Sequence, residues 1–410
     1  MMVLMDALRL AQIRKQKGFE IASHAKITSQ NGLWLVPSKS HPDKNYIVTL
    51  GLGKSTCTCE DFQFHFLPCK HIFAVQIRIA DQLNKRPPRV KECPTYPQDW
   101  EAYNQAQTHE KELFMKLLYE LCLTLPEEAE PVSKGRPRLP LRDMVFSSAL
   151  KVYTTFSLRR FMCDMREAKH LRYVKWYPHF STVSLYMKKK ELSNTLLELI
   201  TLSSLPLRSV ENKFAIDSSG FRTTKFNEYL NEKHNVGRYH SWLKAHVCIG
   251  VKTNVITAVN ITYDNGADHP EFIPLTNQTL KGGFQIDEMS ADKAYLSADN
   301  LSHIVRNGGT PFIPFKSNSA EPSKRHVYVW KKMYNYFAYN RDKFMEHYHL
   351  RSNVETTFSM MKAKFTDMIR SRHKTAQMNE VLLKVLCHNI CVLIQEMAEL
   401  GIEPNFVMGE

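Results

Sequence analysis

Three acidic side chains in the second half of the chain could together hold a divalent cation. Asp217 ends the short apolar run FAID, Asp292 stands in a similar place in MSADKAY, and Glu355 lies in YHLRSNVETTFSMMKAKF. A carboxylate at the end of a buried strand projects into a cleft, where a hard cation binds through oxygen ligands. Either aspartate alone is as well explained by a turn or a helix cap, so the chemistry depends on all three.

The segment around the glutamate has a helical pattern and carries basic residues. Its spacing is Tyr-x2-Arg-x3-Glu-x6-Lys, formed by Tyr348, Arg351, Glu355 and Lys362. Separations of four and seven residues place the last three on one face of a helix. A carboxylate flanked by cations suits an anionic phosphodiester lying along that face. Without the two aspartates, an ordinary surface charge pair would be the better interpretation.

Taken in order, FAIDSSGF, SADKAY and the Tyr-Arg-Glu-Lys segment resemble the DDE transposases of prokaryotic insertion sequences, which have an RNase H-like fold. The resemblance covers about half of the chain, from residue 213 to about residue 397. It implies two bound Mg²⁺ or Mn²⁺ ions, one activating the nucleophile and one stabilising the leaving oxygen. The implied metal ligands are Asp217, Asp292 and Glu355. The resemblance also implies that Arg351 and Lys362 hold DNA phosphates and that Tyr348 helps to place the strand end.

The interval between the second aspartate and the glutamate is short. Asp292 and Glu355 are 63 positions apart, which leaves no room for the large β insertion that some members use to handle a flipped base. Whether this protein forms a hairpin intermediate is therefore open.

An aromatic and basic stretch, VYVWKKMYNYFAYNRDKF, precedes the glutamate segment. As a DNA-contacting loop or strand pair, it would let Lys331 and Lys332, with Trp330 and Tyr336, contact a frayed strand through charge and stacking. Buried strand residues are the alternative interpretation.

A second motif near the start of the chain is typical of structural zinc. Cys57, Cys59, Cys69 and His71 follow the spacing Cys-x-Cys-x9-Cys-x-His, which supplies a closed tetrahedral set of ligands. The segment CTCEDFQFHFLPCKHIFAV resembles the SWIM zinc finger, over about residues 15 to 80. A redox site is the alternative, but the Cys-x-x-Cys spacing is missing. The resemblance implies DNA or protein binding without choosing between them.

A basic linker contains Arg136 and Arg138 in the run KGRPR, whose Gly-Arg-Pro core resembles an AT-hook. An extended Arg-Pro segment can lay guanidinium groups in a narrow minor groove. A flexible basic linker is the alternative.

The charge of the chain favours a polyanionic partner. Its 410 residues carry a formal net charge of +14, which raises attraction to nucleic acid. No apolar run approaches the roughly 20 residues of a membrane-spanning helix, and the first residues have no signal-peptide core. We expect double-stranded DNA as partner, as element ends and target, and no membrane. Two ends must be paired, so a homodimer on DNA is expected. Nine cysteines do not suit a secreted disulfide framework, which favours a reducing compartment: a bacterial or archaeal cytoplasm, or a nucleus. The resemblance to prokaryotic transposases implies a cytoplasmic, nucleoid-associated location.

The pattern of elements predicts four regions. Residues 1–95 form the SWIM-type module, 96–145 a helix and basic proline-containing linker, 146–212 a helical DNA-binding region, and 213–400 the catalytic domain. In the last region a short strand is followed by the hairpin KAHVCIGV–NVITAVNITY and then by alternating helices and strands. The predicted fold class is therefore α/β: an RNase H-like mixed sheet, preceded by a helical domain and a small zinc-binding α+β module.

The leading hypothesis is a transposase that nicks DNA hydrolytically and then joins the freed 3′-hydroxyl to a target. One alternative is an RNase H-like nuclease without strand transfer. The other is a transposase-derived, non-catalytic DNA-binding protein.

Overall fold

The computed structural model describes residues 2–30, 32–38, 44–51, 55–84, 98–126, 138–223, 242–263, 266–319, 328–404 and 406. The chain divides into two compact units. The first consists of Met1–Glu92, Tyr295–Asn307 and Pro311–His349. The second consists of Cys93–Ala294, Gly308–Thr310 and Leu350–Glu410.

The helices and strands of the described residues are numbered here in chain order. The helices are α1 (Met2–His24), α2 (Glu60–His65), α3 (Lys70–Asn84), α4 (Trp100–Thr108), α5 (Glu110–Leu123), α6 (Leu141–Tyr153), α7 (Met162–His170), α8 (Phe180–Tyr186), α9 (Lys190–Ser204), α10 (Phe272–Lys281), α11 (Ala298–Arg306), α12 (Tyr328–Tyr339), α13 (Arg341–Tyr348), α14 (Ser352–Phe365) and α15 (Lys374–Glu399). The strands are β1 (Thr28–Gln30), β2 (Leu33–Pro37), β3 (Asn45–Thr49), β4 (Thr56–Cys57), β5 (Lys213–Arg222), β6 (Trp242–Gly250), β7 (Ile256–Tyr263), β8 (Glu288–Ala291) and β9 (Thr310–Phe312).

The first unit contains a small antiparallel sheet in the order β1-β2-β3-β4. Alternating residues of β2 and β3 face its core, where Trp34, Val36 and Val48 are buried, as a half-buried strand requires. Helices α1 and α3 pack along each other. Gly18 permits this close approach, because a Cβ at that position would lie 2.7 Å from the Cβ of Phe73.

Helix α12 corrects one expectation. The aromatic and basic stretch predicted as a loop or strand pair is helical from Tyr328 to Tyr339, so that prediction was wrong. Met333, Tyr334 and Phe337 are buried, and their separations of one, three and four residues fit one helical face. The density of aromatic residues suggested a strand, whereas the spacing of the buried ones follows the period of a helix.

The second unit contains a mixed sheet in the order β7-β6-β5-β8-β9. The predicted meander is confirmed, since β5 pairs antiparallel with β6 and β6 pairs antiparallel with β7. β8 then joins the other side of β5 in parallel. The predicted mixed α/β class, with a helical region and a small zinc-binding module before it, is likewise confirmed.

Helix α15 is the central helix of the second unit, packing against α4, α5, α6 and α9. By length and hydropathy alone it could cross a membrane, although 78% of its most apolar window is buried inside the protein. Burial of that kind is typical of the core helix of a folded domain.

One amide on α15 fastens the helix to the edge of the sheet. The fully buried Asn389 accepts a hydrogen bond from the backbone N–H of Ile256 at 2.9 Å and donates to its carbonyl at 2.8 Å. It also donates to Ser203 Oγ on α9 at 3.0 Å. Because β7 is the edge strand, Asn389 satisfies its backbone as a neighbouring strand would.

We predict that Asn389→Leu lowers the free energy of unfolding by about 2–4 kcal/mol, because the buried Ile256 amide and carbonyl lose their partner. Equilibrium urea unfolding measures the change. Gln395→Leu on the same helix is the control, since Gln395 donates to Glu399 one turn later on the same helix, and we expect a change within about 0.5 kcal/mol. Equal unfolding midpoints for Asn389→Leu and the unmodified protein would contradict this role.

Candidate active site and zinc centre

Strand register brings Asp217 and Asp292 together. The parallel ladder of β5 and β8 ends with the pair Ile216 and Ala291. Asp217 and Asp292 are the residues that follow this pair in the chain. Neighbouring strands lie about 4.8 Å apart, so the two carboxylates leave the sheet side by side. Asp292 directly follows β8, as predicted.

Asp217 was predicted to end its strand, and this was wrong. β5 continues to Arg222 because it keeps its antiparallel partner β6 after the parallel pairing with β8 stops. Asp217 therefore lies within β5, where the pairing with β6 continues and, among the described residues, the pairing with β8 has ended. The remaining pairing holds the backbone of the carboxylate in place.

Glu355 is carried by α14, whose apolar face is buried through Val354, Phe358 and Met361. Two polar residues fix the rotation of this helix. Asn353 Nδ2 donates to the carbonyl of Val251 at 2.7 Å, and Thr357 Oγ1 donates to Asn254 Oδ1 at 3.2 Å.

Their partners, Val251 and Asn254, lie in the turn between β6 and β7, and these two contacts were not predicted. Asn254 adopts a left-handed conformation, with φ of 65°. Asparagine tolerates that conformation better than most residues. An asparagine between two predicted strands was therefore the one sequence signal for this turn. Asn353 and Thr357 flank Glu355 by two positions each, which leaves the glutamate facing away from the core.

Arg351 links two of the three carboxylates. Its guanidinium pairs with Asp217 and donates to Glu355 Oε1 at 2.8 Å. The side chains of Arg351 and Asp217 are each 19% exposed, whereas that of Glu355 is 62% exposed. The ion pair with the aspartate is thus the more shielded of the two and the stronger one.

The charges of the three carboxylates act on one another. Burial raises the pKa of Asp217, the backbone N–H of Ser218 and the Arg351 guanidinium oppose this rise, and Asp292 and Glu355 add to it. Three carboxylates against one guanidinium leave a surplus of negative charge.

The donor chemistry of this site fits a hard divalent cation, which prefers carboxylate oxygens. The three carboxylates are not gathered as tightly as a filled metal site. Among the described residues, the Cys/His cluster described below has all its ligand atoms within 4.8 Å of one another, and the three carboxylates do not form such a group. In this arrangement the guanidinium of Arg351 lies between Asp217 and Glu355.

Lys362 is engaged with the sheet. Its ammonium donates to Ser219 Oγ at 2.6 Å and lies 5.3 Å from the ring centroid of Phe221. Burial lowers the pKa of this lysine. The contact ties α14 to β5 two residues beyond Asp217.

The Tyr-Arg-Glu-Lys motif is not one continuous helix, contrary to the prediction. Tyr348 ends α13, a 3-10 turn covers His349–Arg351, and α14 begins at Ser352. The break falls where the chain passes from the first unit to the second. Tyr348 belongs to the first unit, where its ring lies 5.9 Å from that of His349.

The remaining predicted DNA contacts are spread over the chain. Lys331 is half-buried on α12, where it donates to Ser29 Oγ at 3.4 Å and lies 5.8 Å from the Trp34 ring. Lys332 is also half-buried on α12, and Arg138 is exposed just before α6. Arg136 lies outside the described residues.

The zinc cluster is built at the junction of β4, α2 and α3. Cys57 ends β4, Cys59 precedes α2, and Cys69 and His71 flank the first residue of α3. All four side chains are buried, and their ligand atoms lie within 4.8 Å of one another. His65, which lies between the ligands in the chain, is outside this set, and its side chain is 55% exposed.

Distances within the cluster match a tetrahedral zinc site. His71 Nδ1 lies 3.8 Å from Cys57 Sγ and 3.9 Å from Cys69 Sγ, close to the roughly 3.6 Å that zinc–sulfur and zinc–nitrogen bonds at a tetrahedral angle give. The Cys59 amide donates to Cys57 Sγ at 3.4 Å, and the Tyr46 ring stacks on His71 at 4.4 Å. Such outer contacts fix the orientation of ligands. The thiol of Cys57 lowers the pKa of Cys69 to about 4 by hydrogen bonding, so the cluster readily supplies a thiolate.

Two protein-family models match the chain, one over the region of each site. Residues 208–390 match the family model described as "Transposase DDE domain", and residues 46–79 match the one described as "SWIM zinc finger". No curated protein and no solved structure matches the chain significantly. The chain carries a DDE transposase domain with an N-terminal SWIM zinc finger, as the sequence predicted.

We predict that Cys69→Ser abolishes stoichiometric zinc binding and destabilises the first unit, because structural zinc contributes on the order of 10 kcal/mol to the folding of small modules. Metal analysis and thermal unfolding measure both effects. Cys163→Ser is the control, since Cys163 is exposed and outside the cluster. Full zinc content in Cys69→Ser would contradict the assignment of the ligands.

Proposed function

We propose that this chain, with its DDE transposase domain behind a SWIM zinc finger, cleaves DNA at the ends of an insertion sequence and joins the freed 3′-hydroxyl to target DNA. A DDE domain implies phosphoryl transfer in general; the element ends and the joining step extend that statement. The observation that carries the proposal is the juxtaposition of Asp217 and Asp292 by strand register, with Glu355 linked to Asp217 through Arg351. Pairing of two DNA ends by a homodimer belongs to the same proposal.

The three carboxylates would hold two Mg²⁺ or Mn²⁺ ions, which when bound supply an activated oxygen nucleophile and neutralise the leaving oxygen. The protein's contribution is to fix the donors. Asp217 lies within the hydrogen-bonded strand β5 and Asp292 directly follows β8, and α14 is held by Asn353 and Thr357 on either side of Glu355.

We assign Arg351 two roles, one with the carboxylates and one with DNA. Before substrate binds, its guanidinium neutralises Asp217 and Glu355. If Asp217 and Glu355 held divalent cations, the same guanidinium would be available for a DNA phosphate, which it could hold through two parallel hydrogen bonds. Lys362 stays with Ser219 and keeps β5 and α14 aligned.

We predict that Asp217→Asn, Asp292→Asn and Glu355→Gln each reduce metal-dependent cleavage by roughly 10²–10³-fold or more, the loss expected when one charge-stabilising group is removed. Cleavage of a labelled duplex containing the element end measures this, and DNA binding should persist.

Asp287→Asn is the matched control, because Asp287 precedes β8 whereas Asp292 follows it, and it contacts Asn212 and Gln285. We expect Asp287→Asn to cleave at the rate of the unmodified protein. Retained cleavage in any of the three active-site variants would overturn the proposal.

The joining step separates a transposase from a nuclease of the same fold. We predict that the protein transfers a pre-cleaved end with a free 3′-hydroxyl into plasmid DNA, and that an end with a 3′-deoxy terminus is inert because it lacks the nucleophile. Gel analysis of the joined products measures this. Cleavage without any joined product would favour the nuclease.

We predict that Arg351→Ala binds Mn²⁺ at least as tightly as the unmodified protein, because the guanidinium competes with cations for Asp217 and Glu355. The same variant should cleave roughly 10²-fold more slowly, since it lacks a phosphate partner. Calorimetric titration with Mn²⁺ and the cleavage assay separate the two effects. Weaker Mn²⁺ binding by Arg351→Ala would show that the arginine only supports the carboxylates.

A further inference from the structure

A second charged region of the second unit is a cavity of about 680 Å³. It is bounded by α6, α8 and α15 and by the segment that joins α14 to α15. Its cationic lining residues are Lys151, Lys188, Arg370, Arg372 and Lys384. Among its described lining residues, Glu380 is the one carboxylate. None of the residues predicted to be catalytic lines this cavity.

The carboxylate of Glu380 is already used by the backbone. Its oxygens accept the N–H groups of Arg370 at 2.9 Å and Ser371 at 2.8 Å. These bonds hold the turn before α15 in place and orient Arg370 toward the cavity wall, where its guanidinium donates to the carbonyls of Thr155 and Phe156. The wall is therefore rigid, and its net charge is positive.

Two lysines of the cavity differ in their partners. Lys384 donates to the carbonyls of Thr366 and Met368 at 2.8 and 2.9 Å. Within the described part of the chain, no hydrogen bond or ion pair engages the ammonium of Lys151. The three cations Lys151, Arg370 and Lys384 thus share one cavity, and one of them keeps its donors available.

Burial is the main reason that the charged forms of these two lysines are disfavoured. Burial, followed by the nearby Arg370, lowers the pKa of Lys151 to about 8, and Glu380 opposes the shift. Burial also lowers the pKa of Lys384 to about 8, with Glu380 and Asp367 opposing the shift and Arg370 and Lys151 adding to it. An anion in the cavity would favour the charged form of both lysines. Hydroxyl donors suited to an oxyanion line the same walls on Thr155, Ser157 and Ser184.

We infer that this cavity binds a phosphate oxyanion and that the phosphate belongs to the sugar-phosphate backbone of DNA. The choice of DNA rests on the proposed function. The cavity volume is in the range of ligand pockets, about 300–1,000 Å³. Phe365 and Thr366, which line the cavity, lie at the end of the helix that carries Glu355. Phe365 is ten residues after Glu355, or about 15 Å along the helix axis. A single DNA duplex is long enough to contact both places.

The test measures DNA binding by the full-length protein without divalent ions. We use the fluorescence anisotropy of a labelled duplex over a range of salt concentrations. Lys151→Met keeps the apolar stem and removes the charge, so its salt slope should fall by about one unit relative to the unmodified protein. Lys188→Met, at an exposed rim position, should show the same direction of change without any risk to folding.

Lys281→Met is the control, because it removes one exposed lysine of the same unit that is not in the cavity lining. Its salt slope should equal that of the unmodified protein. Equal slopes for all four proteins would overturn the DNA contact.

Inorganic phosphate, followed by calorimetry, distinguishes the source of the anion. Phosphate binding that Lys151→Met abolishes, together with an unchanged DNA salt slope, would mean that the cavity takes free phosphate and would overturn the DNA assignment. Since no divalent ion is present, the result is independent of catalysis: the lowered salt slope of Lys151→Met is expected whether or not the protein cleaves DNA.

Discussion

The parallel pairing of β5 with β8 is the constraint on which the candidate active site depends. Its last pair, Ile216 and Ala291, sets the position of the residue that follows on each strand. A shift of one residue would turn one aspartate to the other face of the sheet. The register is held by the antiparallel ladder of β5 with β6 and, through β7, by Asn389 of the buried helix α15. Packing far from the carboxylates therefore determines their separation.

Three neighbouring carboxylates repel one another, and the protein needs a cation to keep them close. Arg351 meets that need from the 3-10 turn at the start of α14, where it reaches both Asp217 and Glu355. The guanidinium would leave these carboxylates only where cations that bind them more strongly take its place. Its more shielded contact is the one with Asp217. The site is thus arranged so that binding of divalent cations would free an arginine at the place where a phosphate has to be held.

Sequence patterns were sufficient for those parts of the molecule that depend on local spacing. Ligand spacing identified the zinc cluster, and alternation identified the β5–β6–β7 meander. Features that depend on distant partners were missed. The continuation of β5 past Asp217 depends on β6, and the helical state of α12 depends on the burial of Met333, Tyr334 and Phe337. The positioning role of Asn353 depends on a carbonyl 102 residues earlier in the chain, for which no local pattern gives a signal.

The Cys/His cluster and the candidate carboxylate site lie in different units, and thiolates suit zinc whereas carboxylates suit harder cations. We propose that Asp217, Asp292 and Glu355 bind the same cations. Replacing Mg²⁺ with Fe²⁺ and adding ascorbate cuts a protein backbone beside the bound iron, which makes the location of the cation directly measurable. We predict cuts next to residues 217, 292 and 355 that excess Mg²⁺ suppresses. Cuts confined to other segments, or cuts that Mg²⁺ leaves unchanged, would contradict it.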